Sequence, residues 1–264
     1  MPVLPLHRAL LRRRAPAVPA PRRPGRGDGL TSRTARSAAL AAVLLLAGCS
    51  SAEKTPAPVP LPRATLSSVS PAPVSTEAEA RTRLRALRVA PRRPPVGYVR
   101  DAFGSAWLDI DGNGCNQRDD VLLRDAVPGT ARYAQQGRCD HDVLAGTWVD
   151  PYTGRTLVFT DLKDQAQDQA IQIDHLVPLA EAWASGASRW APDRRKQFAN
   201  DLGELLAVDG PINASKGDGD PAAWRPRKGY QCTYAVGWID TKTRWDLTVD
   251  RPEKRALLEM LGYC

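Results

Sequence analysis

Prolines set the outer limits of any fold this chain can adopt. Pro56, Pro58, Pro60, Pro62, Pro71 and Pro73 crowd a stretch with few apolar side chains, and Pro91, Pro94 and Pro95 close a helical pattern just beyond it. Proline lacks an amide proton and has a fixed φ, so neither stretch can join a sheet interior or continue a helix. A segment that buries so little apolar surface stays extended. Thr76 with Glu79 reads as a capping box, and Leu84 and Leu87 carry that helix to about Ala90. A compact domain is therefore expected over 97–264, preceded by a helix and Pro-rich connector at 75–96 and a tether at 49–74.

Residues 1–48 read as a leader. Arg33 and Arg36 precede an apolar stretch from Ala38 to Ala47, and Leu46-Ala47-Gly48-Cys49 follows. A basic segment, about ten apolar residues and a small-residue cleavage site describe a secretory signal. Its last four residues resemble a bacterial lipobox, which makes Cys49 the expected lipidation site. The expectation is an exported protein, held at the membrane by a lipid anchor alone or released. No apolar run reaches the roughly 18–20 residues of a spanning helix.

The formal net charge of +8 resides in that leader, which has nine arginines and one acid; the remainder balances 28 cations against 28 acids. Bulk charge therefore does not argue for a polyanion partner, which has to be inferred from a local site.

With Cys49 assigned to lipid, Cys115, Cys139, Cys232 and Cys264 remain. An even count in an exported chain suggests two disulfides among three possible pairings. Pairs 115–139 and 232–264 are expected, since each closes a loop of a few tens of residues and would contribute roughly 3 kcal/mol. Zinc is disfavoured: there is no C-x-x-C, and only His141 and His175 are left as imidazole ligands. His141 lies between Asp140 and Asp142, which would favour its charged form, and it is read as a surface residue.

Asp109, Asp111, Asn113 and Asp120 stand at relative positions 1, 3, 5 and 12 around Gly114 at position 6, a calcium-loop spacing with Asp in place of the last Glu. The competing reading is a Gly/Asn/Asp turn held by its own side chains.

Thr147–Val149 and Thr156–Thr160 read as strands around the turn Asp150-Pro151-Tyr152-Thr153-Gly154. Ile171, Ile173, His175 and Val177 alternate, so a strand is expected there, ended by Pro178. Asp174 and His175 must then leave opposite faces, and both can serve one reaction only where the strand bends. A helix over Pro192–Phe198, a strand over Leu205–Val208 and a helix starting near Pro211 follow. Asn213 and Lys216, three apart, share a face of that last helix. The unit is ββα.

Ile173-Asp174-His175-Leu176-Val177-Pro178, followed by Asn200 and by Asn213-Ala-Ser-Lys216-Gly-Asp218, resembles the HNH (ββα-metal) endonuclease family, in its Asp-His…Asn variety. The resemblance extends more softly over most of 97–264. It implies an α+β fold with a ββα-metal core and an added N-terminal β/loop region. It also implies hydrolysis of DNA, with RNA as a second candidate, and little sequence preference; a monomer is expected. The roles it implies are His175 as general base, Asp174 and Asn213 as ligands of Mg2+ or Mn2+, Lys216 on a phosphate oxygen, and Asn200 pinning the loop between the strands. A divalent cation neutralises phosphate charge and stabilises the leaving alkoxide. Asn213 stands where the family often has a second histidine. The alternative is a non-catalytic surface lipoprotein that keeps the fold and binds Ca2+ at the Asp109 loop. A metallopeptidase is disfavoured by the absence of H-E-x-x-H.

Overall fold

The computed structural model describes residues 76–264; the expected leader, lipidated Cys49 and tether lie outside them. A first helix, α1 (Glu77–Ala86), opens on the Thr76–Glu79 capping box. Ala80 and Leu84 are fully buried, and the helix packs on a later one, α7 (Lys228–Arg244). The connector behind it is tied down too, because Val89 bridges Val249. The helix expected to precede the compact domain thus belongs to its core.

Helix α2 (Gln117–Asp125) starts at Asn116, whose side chain accepts the Arg118 and Asp119 amides, the usual remedy for the unpaired N–H groups of a first turn. Three antiparallel strands follow, β1 (Arg132–Gln136), β2 (Cys139–Val149) and β3 (Thr156–Phe159), in the order β1-β2-β3. Trp148 of β2 is buried and donates its Nε1–H to the Leu122 carbonyl at 2.9 Å, docking α2 on this sheet.

After the short α3 (Gln165–Ala170) comes a second, two-stranded antiparallel sheet of β4 (Ile171–His175) and β5 (Leu205–Asp209), with Asp174 opposite Leu206 and His175 opposite Leu205. Between the two strands run α4 (Leu179–Ser185) and α5 (Pro192–Ala199), and β5 passes directly into α6 (Gly210–Lys216). The fold is α+β. The strand ends at His175, short of the expected Val177, and Pro178 three positions on takes the N-cap position of α4.

Helices α7 and α8 (Arg251–Met260) complete the chain. Tyr234, Ala235, Trp238 and Ile239 of α7 are fully buried in the larger of two apolar clusters. The smaller cluster lies between the two sheets and α2 and includes Trp148, Ile171, Ile173 and Leu205. Both expected disulfides form, Cys115–Cys139 and Cys232–Cys264, with Cα separations of 4.3 and 5.0 Å. Among the described residues no helix is long and apolar enough to cross a membrane.

Candidate active site

Alternation along β4 sorts its side chains into two faces. Ile171 and Ile173 enter the smaller apolar cluster, and His175 follows them, its ring stacked on Trp107 at 5.7 Å between centroids. Gln172 and Asp174 point the other way, toward α6.

On the α6 face, the Lys216 ammonium lies 3.0 and 2.9 Å from the two oxygens of Asp174 and donates to the His175 carbonyl at 2.8 Å. The Tyr152 hydroxyl donates to Asp174 Oδ2 at 2.5 Å. Lys216 and Asp174 are 2 % and 6 % exposed. Burial pushes the Asp174 carboxyl up from its ordinary value, against the pull of Lys216 and the Tyr152 hydrogen bond. Burial raises the Tyr152 phenol well above its usual range, and the Asp174 charge adds to that.

A turn places Tyr152. Asp150, itself fully buried, accepts the Thr153 amide at 2.8 Å with one oxygen and the Asp209 amide at 3.3 Å with the other. Gly154 closes the turn at φ 78°, a conformation that favours glycine. The Asp-Pro-Tyr-Thr-Gly turn is thereby fastened to the end of β5 and delivers the phenol to Asp174.

On the opposite face, His175 Nε2 lies 2.9 Å from the Ala199 carbonyl. A carbonyl only accepts, so Nε2 carries the proton and Nδ1 keeps its lone pair. Burial lowers the ring to about 3, with the charges of Arg100 and Lys216 in the same direction, so His175 is neutral at physiological pH. Glu204 fixes the segment that follows: its main-chain carbonyl accepts the Leu176 amide at 2.8 Å and its Oε1 the Val177 amide at 2.7 Å.

Two expectations need correction. Lys216 does not stand on a solvated helix face with its ammonium free for phosphate. It is buried, and a buried ammonium needs a counter-ion, which Asp174 provides. Asn213 does not meet Asp174 either; its amide donates to Gln172 Oε1 at 2.9 Å. The spacing of three does put Asn213 and Lys216 on one face, but they reach successive residues of the strand face opposite. Asn200, 1 % exposed, accepts the Leu108 amide at 3.0 Å and donates to the Lys196 carbonyl at 2.9 Å, joining the end of α5 to the segment that carries Trp107.

Tyr152, Trp107 and Glu204 were not among the expected site residues. The turn signal at 150–154 pointed to Tyr152 only as part of a loop, and nothing in the sequence marks Trp107 or Glu204. His141 is half-buried and not a free surface residue: it lies 2.8 Å from Asp120 and 2.6 Å from Asp140, which hold it above its ordinary value despite burial. It also adjoins Cys115 and Cys139, whose sulfurs are spent on each other.

The donor set fits a hard divalent cation in type. Asp174 offers a carboxylate, and no described residue donates to Asn213 Oδ1. A metal at Asp174 would have to share that carboxylate with Lys216.

The strand end thus carries a neutral, oriented imidazole on one face and a buried, ion-paired carboxylate on the other, and the comparisons with known proteins supply a class. Residues 117–260 match the family described as GmrSD restriction endonucleases, C-terminal domain. A protein of Arthroderma benhamiae described as "Uncharacterized secreted protein" is 41% identical over 184 residues, 69% of this chain and 82% of that relative. No solved structure matches significantly. The chain belongs to the GmrSD restriction-endonuclease C-terminal domain family, and the matched span contains Asp174, His175, Asn200, Asn213 and Lys216.

Proposed function

We propose that the protein is an exported, divalent-metal-dependent endonuclease of the HNH type that hydrolyses phosphodiester bonds in DNA, with His175 as general base. The observation that carries this reading is the tautomer of His175. With Nε2–H committed to Ala199, Nδ1 is a fixed, unprotonated acceptor, the state a base must occupy before it takes a proton from water. His175 is the last residue of β4, but it is 5 % exposed and Asp174 6 %, so the strand end would have to open before a phosphate reached the imidazole on one face or the carboxylate on the other.

Restriction endonucleases typically use divalent metal ions. Asp174 would hold the ion, and Asn213 would join it only by turning away from Gln172; Mg2+ or Mn2+ suits these oxygens. Bound there, it would neutralise phosphate charge and stabilise the leaving alkoxide. Tyr152 fixes the carboxylate, and Lys216 joins it to the backbone of the base. Asn200 holds the Trp107 segment over the His175 ring. Two disulfides and a relative described as secreted support export, with Cys49 as the proposed lipid anchor of a monomeric enzyme that has little sequence preference.

The alternative is a non-catalytic calcium-binding surface lipoprotein of the same fold. It is favoured by the Lys216 ammonium sitting on the carboxylate a metal would need. Plasmid nicking separates the two. The enzyme nicks supercoiled DNA in Mg2+ or Mn2+ and stops in chelator; no nicking in either metal overturns the nuclease reading.

A further inference from the structure

One carboxylate oxygen lies outside everything described so far. Asp120, in the first turn of α2, has a side chain only 8% exposed. Its Oδ1 receives the Asn113 amide at 2.8 Å and lies 2.8 Å from His141 Nε2. Its Oδ2 is buried and has no hydrogen-bond partner among the described residues. An ionised oxygen in that position is costly unless a cation or water reaches it.

The neighbours of Asp120 are other hard oxygens. The same Asn113 amide lies 3.3 Å from Asp111 Oδ2, so Asp111, Asn113 and Asp120 converge from positions 3, 5 and 12 of one loop. Asp109 is folded onto that loop by the Gly114 amide, 3.1 Å from its Oδ2. Gly114 has φ 101°, and a Cβ there would stand 2.5 Å from the Arg138 carbonyl, so only glycine permits the turn. Asp109, Asp111 and Asn113 are exposed, which leaves the loop open to solvent ions.

We propose that residues 109–120 form a calcium site, with Asp109, Asp111, Asn113 and Asp120 as side-chain ligands. Three carboxylates and an amide oxygen on an irregular loop suit Ca2+, which accepts 6–8 oxygens in flexible geometry; Mg2+ demands a near-ideal octahedron and keeps its waters. Asn113 now turns its NH2 end toward the two carboxylates while its oxygen accepts the Cys115 amide at 2.7 Å; presenting that oxygen to the ion means rotating the amide and giving up the Cys115 bond. With Asp where such loops carry Glu at position 12, millimolar affinity is expected, as for extracellular modules.

The ion would join the start of α2 to the 109–116 segment. That segment leads directly from Trp107, stacked on His175, and from Leu108, bonded to Asn200. Calcium therefore orders the strand of chain that roofs the candidate active site, while the site lies outside the catalytic donor set.

The test uses the whole mature chain, melted in EGTA and then with CaCl2 or MgCl2 added. Ten millimolar Ca2+ should raise the melting temperature by about 3–6 °C, and Mg2+ by less than a third of that. Asp111→Asn should move the calcium midpoint tenfold or more; because Asp111 is exposed, this variant folds even if Asp120→Asn does not. Asn213→Ala, which strands no buried charge, should leave the calcium response unchanged. No shift with Ca2+, a shift that survives Asp111→Asn, or one lost in Asn213→Ala overturns the proposal. None of these outcomes bears on whether the protein nicks DNA in Mg2+, so the two readings fail separately.

Discussion

Two lysines are buried among the described residues, and each is held by carboxylates, yet their surroundings differ. Lys242 sits between Glu181 at 2.9 Å and Glu253 at 2.6 Å, with the Thr248 carbonyl at 2.9 Å. Trp238 Nε1–H closes on Glu253 and Arg92 on the far oxygen of Glu181, each at 2.6 Å. Two acids meet two bases, and α4, α7 and α8 are locked together. Lys216 has a single carboxylate, balanced one to one, and what surrounds it is unfinished: His175 Nδ1 holds a lone pair and Asn213 Oδ1 has no described donor. A buried ion pair is thus no sign of a site by itself. What distinguishes the site is the neutral imidazole at the end of the same strand, with its Nε2–H committed to the Ala199 carbonyl.

The sharpest way to break this contrast is at His175. Replacing it with Ala should cut nicking by about 10²–10⁴; retained nicking at the wild-type rate removes the site from β4 altogether. Lys242→Ala should cost about 3–5 kcal/mol of stability, read by urea denaturation, because it strands two buried glutamates. Activity per folded molecule should not change. Lys216→Ala should cost a similar amount in chelator, but Mn2+ should restore part of it, since a metal can take over Asp174. If Mn2+ restores Lys242→Ala equally, the two clusters are alike and the distinction fails.

Titration separates the regions by sign. His175 is held at about 3 in the folded chain against 6.5 unfolded, so the unfolded chain binds the extra proton, and stability falls as pH drops from about 6.5 toward 3. Glu253 is raised to about 7 from 4.5, mainly by burial, so the folded chain binds the proton and this group's contribution weakens as pH rises from about 4.5 to 7. Glu253→Gln should flatten that second slope only. The same placement of His175 means that nicking should change less than about twofold between pH 7.5 and 5.5 on account of the base, where an ordinary imidazole would lose about tenfold. The smallest effect is expected from Tyr152→Phe, about 1.5–3 kcal/mol for one hydrogen bond to a charged group, read by thermal melting with a modest loss of rate.

Local elements were legible where a local cause exists. The Thr76–Glu79 box, the Pro192 start, the alternation at Ile171–His175 and the Pro/Gly turn at 150–154 each fix a boundary through backbone geometry within a few residues. Helices α7 and α8 had no such reading. The α8 signal, Asp250 with Glu253 and Pro252, was present; α7 is buried over much of its length and rich in aromatic and β-branched residues, so it carries no clear amphipathic stripe.

The candidate site divides along the same line. The residue types came from the sequence, because the chemistry of phosphodiester cleavage demands an imidazole and hard oxygens, and Asp174-His175…Asn213…Lys216 supplies them at strand and helix spacings. The partnerships did not. That Lys216 binds Asp174 while Asn213 turns to Gln172, that Tyr152 arrives from a turn over twenty residues away, and that Ala199 fixes the tautomer of His175 all depend on how α6, the 150–154 turn and the end of α5 pack around β4. Backbone periodicity says which way a side chain leaves its own element; what waits for it there is set by contacts between distant segments, and burial then decides which charges must pair.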